Sequence, residues 1–219
     1  MDSWIPAINP DTALRRLIEG NARFVRGEPL QQSPSPHQLA DLTQGQSPFA
    51  TILGCSDSRV PPEMVFDQGL GDLFIVRVAG NVVSTEILGS LGYALAHLHT
   101  SLFVVLGHEG CGAVQAALKM KFHRQVEPGT VGELLEIILP GLEGINPSTP
   151  AETQWQHAIE ANVRWSVRQL AAAPGARALL VKGRVRIVGA IYELATGCVR
   201  FLREEEPTPT PDRQSPTCA

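Results

Sequence analysis

Two short apolar runs, each closed by glycine, constrain the fold of this chain most strongly. The runs are Phe49–Gly54 and Leu102–Gly107, and they are followed directly by Cys55 and His108. Continuous apolar runs of this length, bounded by glycine, are typical of strands that are buried on both faces of a parallel sheet. Helical patterns alternate with these strands, as in α/β proteins. We therefore predict an α/β fold in which Cys55 and His108 lie at the carboxyl ends of strands.

Cys111 follows His108 closely, at the predicted start of a helix. An imidazole and a thiolate with this spacing can converge across a first helical turn, and a helix N-terminus favours a negatively charged sulfur. Two thiolates and a neutral imidazole suit zinc, and three protein ligands leave a fourth position open, as in catalytic sites. We predict one Zn²⁺ per chain, held by Cys55, His108 and Cys111. The alternative is that both cysteines are buried apolar thiols and His108 caps a helix.

Asp57 and Arg59 follow Cys55 in the same loop. A guanidinium can hold a carboxylate through two parallel hydrogen bonds. Asp57 therefore has two alternative roles. It could be a fourth zinc ligand that excludes water, or an acceptor that Arg59 keeps ionised and away from the metal. A surface ion pair without a role in function is the third interpretation.

The composition and net charge of the chain give no support for nucleic acid or membranes as binding partners. A chain of 219 residues with 43% hydrophobic residues can bury one sizeable core. A net charge of −4 gives no general attraction to nucleic acid or to an anionic membrane. The first residues lack the pattern of a secretory signal, and no apolar run has the length of a membrane span. We expect a cytoplasmic protein with reduced cysteines that acts on a small molecule.

Three regions are expected along the chain. Residues 1–36 would form a helical arm, with Asp11 as its N-cap and its apolar stripe against a partner subunit, followed by an extended linker. Residues 37–203 would form the zinc-binding catalytic domain, and residues 204–219 a flexible tail rich in proline and threonine. Within the domain we predict strands at about 49–54, 73–77, 102–107 and from about 184, helices after Ser84, from Cys111, at about 154–172 and at 178–182, and a hairpin turn at 195–197.

The motifs around the predicted ligands resemble the two signatures of the β-class carbonic anhydrases. These motifs are Cys55-Ser-Asp-Ser-Arg59-Val-Pro and Gly107-His-Glu-Gly-Cys-Gly112, and the segments 69–81 and 187–199 match the family's order and spacing as well. The likeness covers roughly residues 12–202. It implies a central parallel sheet of order 2-1-3-4 with an added antiparallel strand, flanked by helices. It also implies reversible hydration of carbon dioxide to bicarbonate and a proton by attack of zinc-bound hydroxide.

The resemblance further implies roles for single residues. Arg59 would hold the Asp57 carboxylate away from the metal, so that Asp57 orients the hydroxide. Gln46 matches a glutamine of plant-type members whose amide donates to a substrate oxygen, and Tyr93 matches an aromatic residue that lines the pocket across a dimer interface. Ile52 stands where the bicarbonate-regulated subclass has a tryptophan. We therefore expect an open zinc site of the plant type, in a homodimer or a dimer of dimers.

Two other functions compete with this one. Similar chains with the same zinc ligands hydrolyse carbonyl sulfide or carbon disulfide, and the shape of the loops around the pocket would decide between these substrates. The other alternative is a nonenzymatic zinc or redox module, in which the metal chiefly stabilises the fold. In that case Asp57→Asn would have little functional consequence.

Overall fold

The computed structural model describes residue 6, residues 8–30 and residues 33–203. The predicted flexible tail at 204–219 lies outside the described residues, and the region boundaries at 36 and 203 stay predictions. Within the described part of the chain, no helix is both long enough and apolar enough to cross a membrane.

A five-stranded sheet forms the centre of the molecule. Its strands are β1 (Ala50–Gly54), β2 (Leu73–Arg77), β3 (Leu102–His108), β4 (Arg186–Tyr192) and β5 (Val199–Phe201). Their order in the sheet is β2-β1-β3-β4-β5. The first four strands run parallel, and β5 pairs antiparallel with β4. This topology confirms the predicted α/β architecture.

Helices cover both faces of this sheet. Alternate residues of a strand point to opposite faces, so Leu53 and Val105 pack against one helical layer, and Ile52 and Val104 against the other. The expected helices after Ser84, near Cys111, at 154–172 and at 178–182 are present, whereas the helices Pro36–Leu42, Pro62–Val65 and Gly129–Ile138 match no expected element. The helices are α1 (Pro10–Arg26), α2 (Pro36–Leu42), α3 (Pro62–Val65), α4 (Thr85–His97), α5 (Gly112–His123), α6 (Gly129–Ile138), α7 (Ala151–Ala172) and α8 (Pro174–Val181), with short 3₁₀ turns at Ala79–Asn81 and Leu139–Leu142.

The prediction of Asp11 as the N-cap of the first helix is wrong. Asn9 is the N-cap, and its Oδ1 accepts hydrogen bonds from the backbone N–H groups of Asp11 at 2.9 Å and Thr12 at 3.4 Å. Proline is favoured at the first helical position because no N–H is needed there. Pro10 therefore starts the helix and moves the cap to Asn9. Asp11 instead pairs with Arg186 at 2.8 Å.

Helix α1 packs on the sheet of its own chain. Ala13 and Leu17 are fully buried there. Asn21 Nδ2 donates to the backbone carbonyls of Val65 and Gly197. The prediction that the apolar stripe covers a partner subunit is therefore wrong, because the stripe packs on the sheet of its own chain. That α1 forms an arm against a second subunit stays a prediction.

Gly20 permits α1 to lie against the backbone that follows α3. A Cβ atom on Gly20 would lie 1.8 Å from the carbonyl oxygen of Phe66. Because a backbone oxygen cannot rotate aside, Gly20→Ala must displace the helix, and we expect a loss of about 3 kcal/mol in the free energy of unfolding. Urea denaturation measures this loss. Gly175→Ala is the control, since its Cβ would meet only Leu95 Cδ2 at 3.8 Å. Equal stability of Gly20→Ala and the wild type would contradict this packing.

Candidate metal centre

The centre of the sheet brings two of the predicted ligands to one edge. Strands β1 and β3 are parallel neighbours, Cys55 follows β1, and His108 is the last residue of β3. The chain leaves β1 towards β2 on one side, while β3 lies on the other side. Ligands of open α/β sheets bind at such a switch point, beyond the carboxyl ends of the strands. Cys111 reaches the same place as the N-cap of α5.

The three predicted ligands converge. One ligand atom from each of Cys55, His108 and Cys111 lies within 4.8 Å of the other two. All three residues are buried, His108 completely. The arrangement joins two loops that are far apart in the chain, and its two sulfurs and one ring nitrogen form a donor set suited to zinc.

The imidazole of His108 is oriented for a metal. Its Nδ1 is hydrogen-bonded to the backbone oxygen of Glu109 at 2.8 Å, which leaves Nε2 as the ligating nitrogen. Nε2 is buried and has no hydrogen-bond partner among the described residues. Because a buried polar atom without a partner is costly, coordination to a metal explains this nitrogen. The residues present therefore fit a zinc ion.

The two thiols share their proton unequally. The Cys111 thiol, the nearby His108 imidazole and the Gly80 amide stabilise the Cys55 thiolate and lower the pKa of Cys55 against the opposing effect of burial. The hydrogen bond to Cys55 and burial both raise the pKa of Cys111. The thiolate form is therefore favoured at Cys55, and the shared proton is favoured at Cys111. Binding of a divalent cation would release that proton, since both sulfurs ligate as thiolates.

Asp57 and Arg59 form a bidentate pair beside the ligands. Arg59 Nε donates to Asp57 Oδ1 at 2.9 Å, and Arg59 Nη2 donates to Asp57 Oδ2 at 2.7 Å. This guanidinium holds the pKa of the Asp57 carboxyl far below its usual range. Asp57 Oδ2 lies 3.8 Å from His108 Nε2. The carboxylate thus faces the metal group while both of its oxygens are bound to Arg59.

Arg77 fixes the loop that carries Cys55 and Asp57, a role that the sequence motifs do not indicate. Its Nε donates to the backbone oxygen of Cys55 at 2.9 Å, and its Nη2 donates to that of Asp57. Arg59 Nη2 also donates to the carbonyl of Gly110 at 3.3 Å, which ties this loop to the one that carries Cys111. The sequence signal for Arg77 is an arginine at the end of a predicted strand. Sequence spacing does not reveal that this side chain donates to the backbone oxygens of Cys55 and Asp57.

Gln46 and Tyr93 lie together but not at the metal group of their own chain. They line an open cavity of about 580 Å³ whose other lining residues are Leu42, Gly45, Gly71 and Leu98. No metal-group residue is among the described lining of this cavity. Tyr93 is 49% exposed, and its ring stacks obliquely on His97 with centroids 4.8 Å apart.

Comparison with protein families gives one match that covers most of the sheet. The family model described as "Carbonic anhydrase" matches residues 50–199. A carbonic anhydrase of Mycolicibacterium smegmatis is 42% identical over 200 residues, which cover 90% of this chain and 95% of that protein. Carbonic anhydrase 2 of Mycobacterium tuberculosis is 39% identical over 198 residues, which cover 88% and 93%.

Solved structures give the same relationship. The β-carbonic anhydrase of Coccomyxa, determined with acetazolamide, superposes with a TM-score of 0.68 at 27% identity and covers 74% of this chain and 75% of its own. The β-carbonic anhydrase CafA of Aspergillus fumigatus superposes with a TM-score of 0.68 at 26% identity and covers 90% and 92%. The resemblance seen in the sequence motifs therefore extends over nearly the whole chain.

Proposed function

This chain belongs to the β-class carbonic anhydrases, and from that premise we propose that it hydrates carbon dioxide reversibly at one zinc ion held by Cys55, His108 and Cys111. The products are bicarbonate and a proton. The observation that carries the proposal is the convergence of these three ligand atoms within 4.8 Å of one another, next to a carboxylate that Arg59 keeps ionised. A cytoplasmic location fits, because a reducing compartment keeps both cysteines available as ligands.

Zinc in such a site would lower the pKa of a coordinated water to about 7, so that a nucleophile is available at neutral pH. The protein residues provide the geometry. Cys55 and Cys111 supply two negative charges, and the hydrogen bond of His108 Nδ1 to Glu109 keeps Nε2 free to ligate. Among the described residues, three contribute ligand atoms to this group, so a zinc ion held there would have a fourth position for solvent.

Asp57 orients the nucleophile in this proposal. An ionised carboxylate has no proton to donate, so Asp57 can only accept a hydrogen bond. Arg59 donates a hydrogen bond to each of the two oxygens of Asp57, and Oδ2 also faces the ligand group. An O–H held by Oδ2 turns the lone pair of the nucleophile away from Asp57 and towards carbon dioxide. The bidentate contact also keeps Asp57 from becoming a fourth metal ligand.

A second copy of the chain would complete the site. Strand β2 is an edge strand, and its apolar residues are only partly buried. Large apolar side chains near it are exposed, and contiguous exposed apolar surface is typical of an interface. Gln46 and Tyr93 lie on this side of the molecule. We propose a homodimer in which the Gln46 amide donates to a substrate oxygen and Tyr93 forms an apolar wall at the metal centre of the other subunit. The exposed side chains near β2 are Leu42, Leu70 and Tyr93.

Mixed dimers test this arrangement. Gln46→Ala and Asp57→Asn homodimers should each have strongly reduced activity. In a mixed dimer, one of the two sites would combine the intact Asp57 of the Gln46→Ala subunit with the intact Gln46 of the Asp57→Asn subunit. Co-expressed in equal amounts, the two variants should therefore regain about a quarter of the wild-type rate, because half of the dimers are mixed and each has one complete site. A rate no higher than the mean of the two homodimers would contradict the contribution of Gln46 across the interface.

The function itself is tested by stopped-flow hydration of carbon dioxide on protein of measured zinc content. We expect a rate proportional to bound zinc. Sulfide release from carbonyl sulfide and carbon disulfide is measured on the same samples. Fast sulfide release without hydration would assign the chain to those substrates, and hydration that is independent of zinc would refute the proposal.

A further inference from the structure

Helix α7 presents three side-chain donors to the backbone around the metal centre. Trp155 Nε1 donates to the carbonyl of Cys111 at 3.2 Å, Asn162 Nδ2 to that of Gly80 at 2.8 Å, and Ser166 Oγ to that of Asn81 at 3.0 Å. Their spacing corresponds to whole helical turns, so the three donors share one face of α7. The helix thus contacts the backbone of Cys111 and the turn at Ala79–Asn81, whose Gly80 amide in turn donates to Cys55 Sγ.

Gly80 is held at both ends. Its N–H donates to Cys55 Sγ at 3.3 Å, and its carbonyl accepts the hydrogen bond from Asn162. Its φ of +69° is in the left-handed region that glycine adopts without strain. The carbonyl contact restricts the rotation of Gly80 and thereby keeps its N–H directed at the sulfur.

The burial of Asn162 needs an explanation. The residue is 1% exposed on the helix face that packs against the sheet, where an amide is costly unless it is hydrogen-bonded. Its Oδ1 has no partner among the described residues. Because the oxygen of Gly80 requires a donor, Nδ2 must be the atom that faces it. The side-chain amide of Asn162 therefore keeps its hydrogen bond to Gly80 even though its own Oδ1 has no partner among the described residues.

We propose that Asn162 is a positioning residue of the metal centre, which holds the Gly80 N–H on Cys55 Sγ and so strengthens metal binding. This inference rests on the proposed function, since it requires a metal at Cys55. A backbone N–H that donates to a thiolate stabilises the deprotonated sulfur that a metal requires and restricts its position. Residues that orient metal ligands typically change metal affinity by about 10- to 100-fold when they are replaced.

The test compares Asn162→Leu with Val163→Ala. The leucine side chain has a similar size but no donor. Val163 is the next residue of α7, is fully buried and lies in the hydrophobic core cluster, so its truncation weakens the packing of the helix without removing the Gly80 contact. Competition with a chelator gives the zinc affinity. We expect Asn162→Leu to bind zinc about 10- to 100-fold more weakly than the wild type, and Val163→Ala to bind as tightly as the wild type.

Cobalt substitution gives a second readout that does not depend on activity. The sulfur-to-cobalt charge-transfer band should shift in Asn162→Leu and remain unchanged in Val163→Ala. Should Asn162→Leu not fold, Asn162→Ala removes the same donor and is measured in the same way. Wild-type zinc affinity and an unshifted band in the Asn162 variant would overturn this inference alone. A wild-type chain that binds no zinc at the three ligands would overturn the proposed function.

Discussion

The Asp57→Asn protein is expected to keep its zinc and to hydrate carbon dioxide about 100- to 1000-fold more slowly than the wild type. The amide has the shape of the carboxylate but no charge. Arg59 would pair with its oxygen, which leaves the NH₂ group to face the metal ligands as a donor. The hydrogen bond that orients the nucleophile would then have the wrong direction. Stopped-flow rates at matched zinc content measure the loss.

Asp11→Asn is the matched control for this experiment. Asp11 also pairs with an arginine, Arg186, at 2.8 Å, but on the exposed surface at the start of α1. Its replacement should leave both zinc content and rate unchanged. A normal rate in Asp57→Asn would reduce the contact between Asp57 and Arg59 to a surface ion pair. Loss of zinc together with activity would instead assign Asp57 as a metal ligand.

The second large effect is expected from Cys111→Ser. A serine hydroxyl stays protonated at neutral pH and is a poor zinc ligand, so two ligands would remain. The protein should carry almost no zinc, and its hydration rate should fall to that of the buffer. Metal analysis after dialysis, together with stopped-flow rates, measures both quantities.

Cys198→Ser provides the comparison for that variant. Cys198 is a free, partly exposed cysteine in the turn between β4 and β5, and it does not belong to the ligand group. This variant should retain zinc and activity. Full zinc content in Cys111→Ser would show that the ion binds elsewhere.

The sequence predicts those strands whose apolar residues are also buried or partly buried in the fold. The apolar runs before Cys55 and His108 became β1 and β3, and the run at 73–77 became β2. Parallel strands end at one edge of a sheet, so the convergence of Cys55 and His108 followed from the fold class. Cys111 followed from its position at the start of α5.

Other features depend on contacts that a local pattern does not contain. Helix α6 begins at Gly129 after a proline and includes Gly132, so its helical signal is weak even though Leu135 and Ile138 are buried. Asn162 is polar in a buried helix face, and its role becomes visible only when Gly80 lies opposite to it. Likewise, no local pattern reveals that Gln46 and Tyr93 line the same cavity, apart from the metal group of their own chain.

Zinc-edge X-ray absorption on the purified protein tests the central claim most directly. If Cys55, His108 and Cys111 bind one zinc ion with a position left for solvent, the spectrum will contain two sulfurs at about 2.3 Å and two nitrogen or oxygen atoms at about 2.0–2.1 Å. A coordination shell with fewer than two sulfurs, or a protein that retains no zinc, would contradict the account.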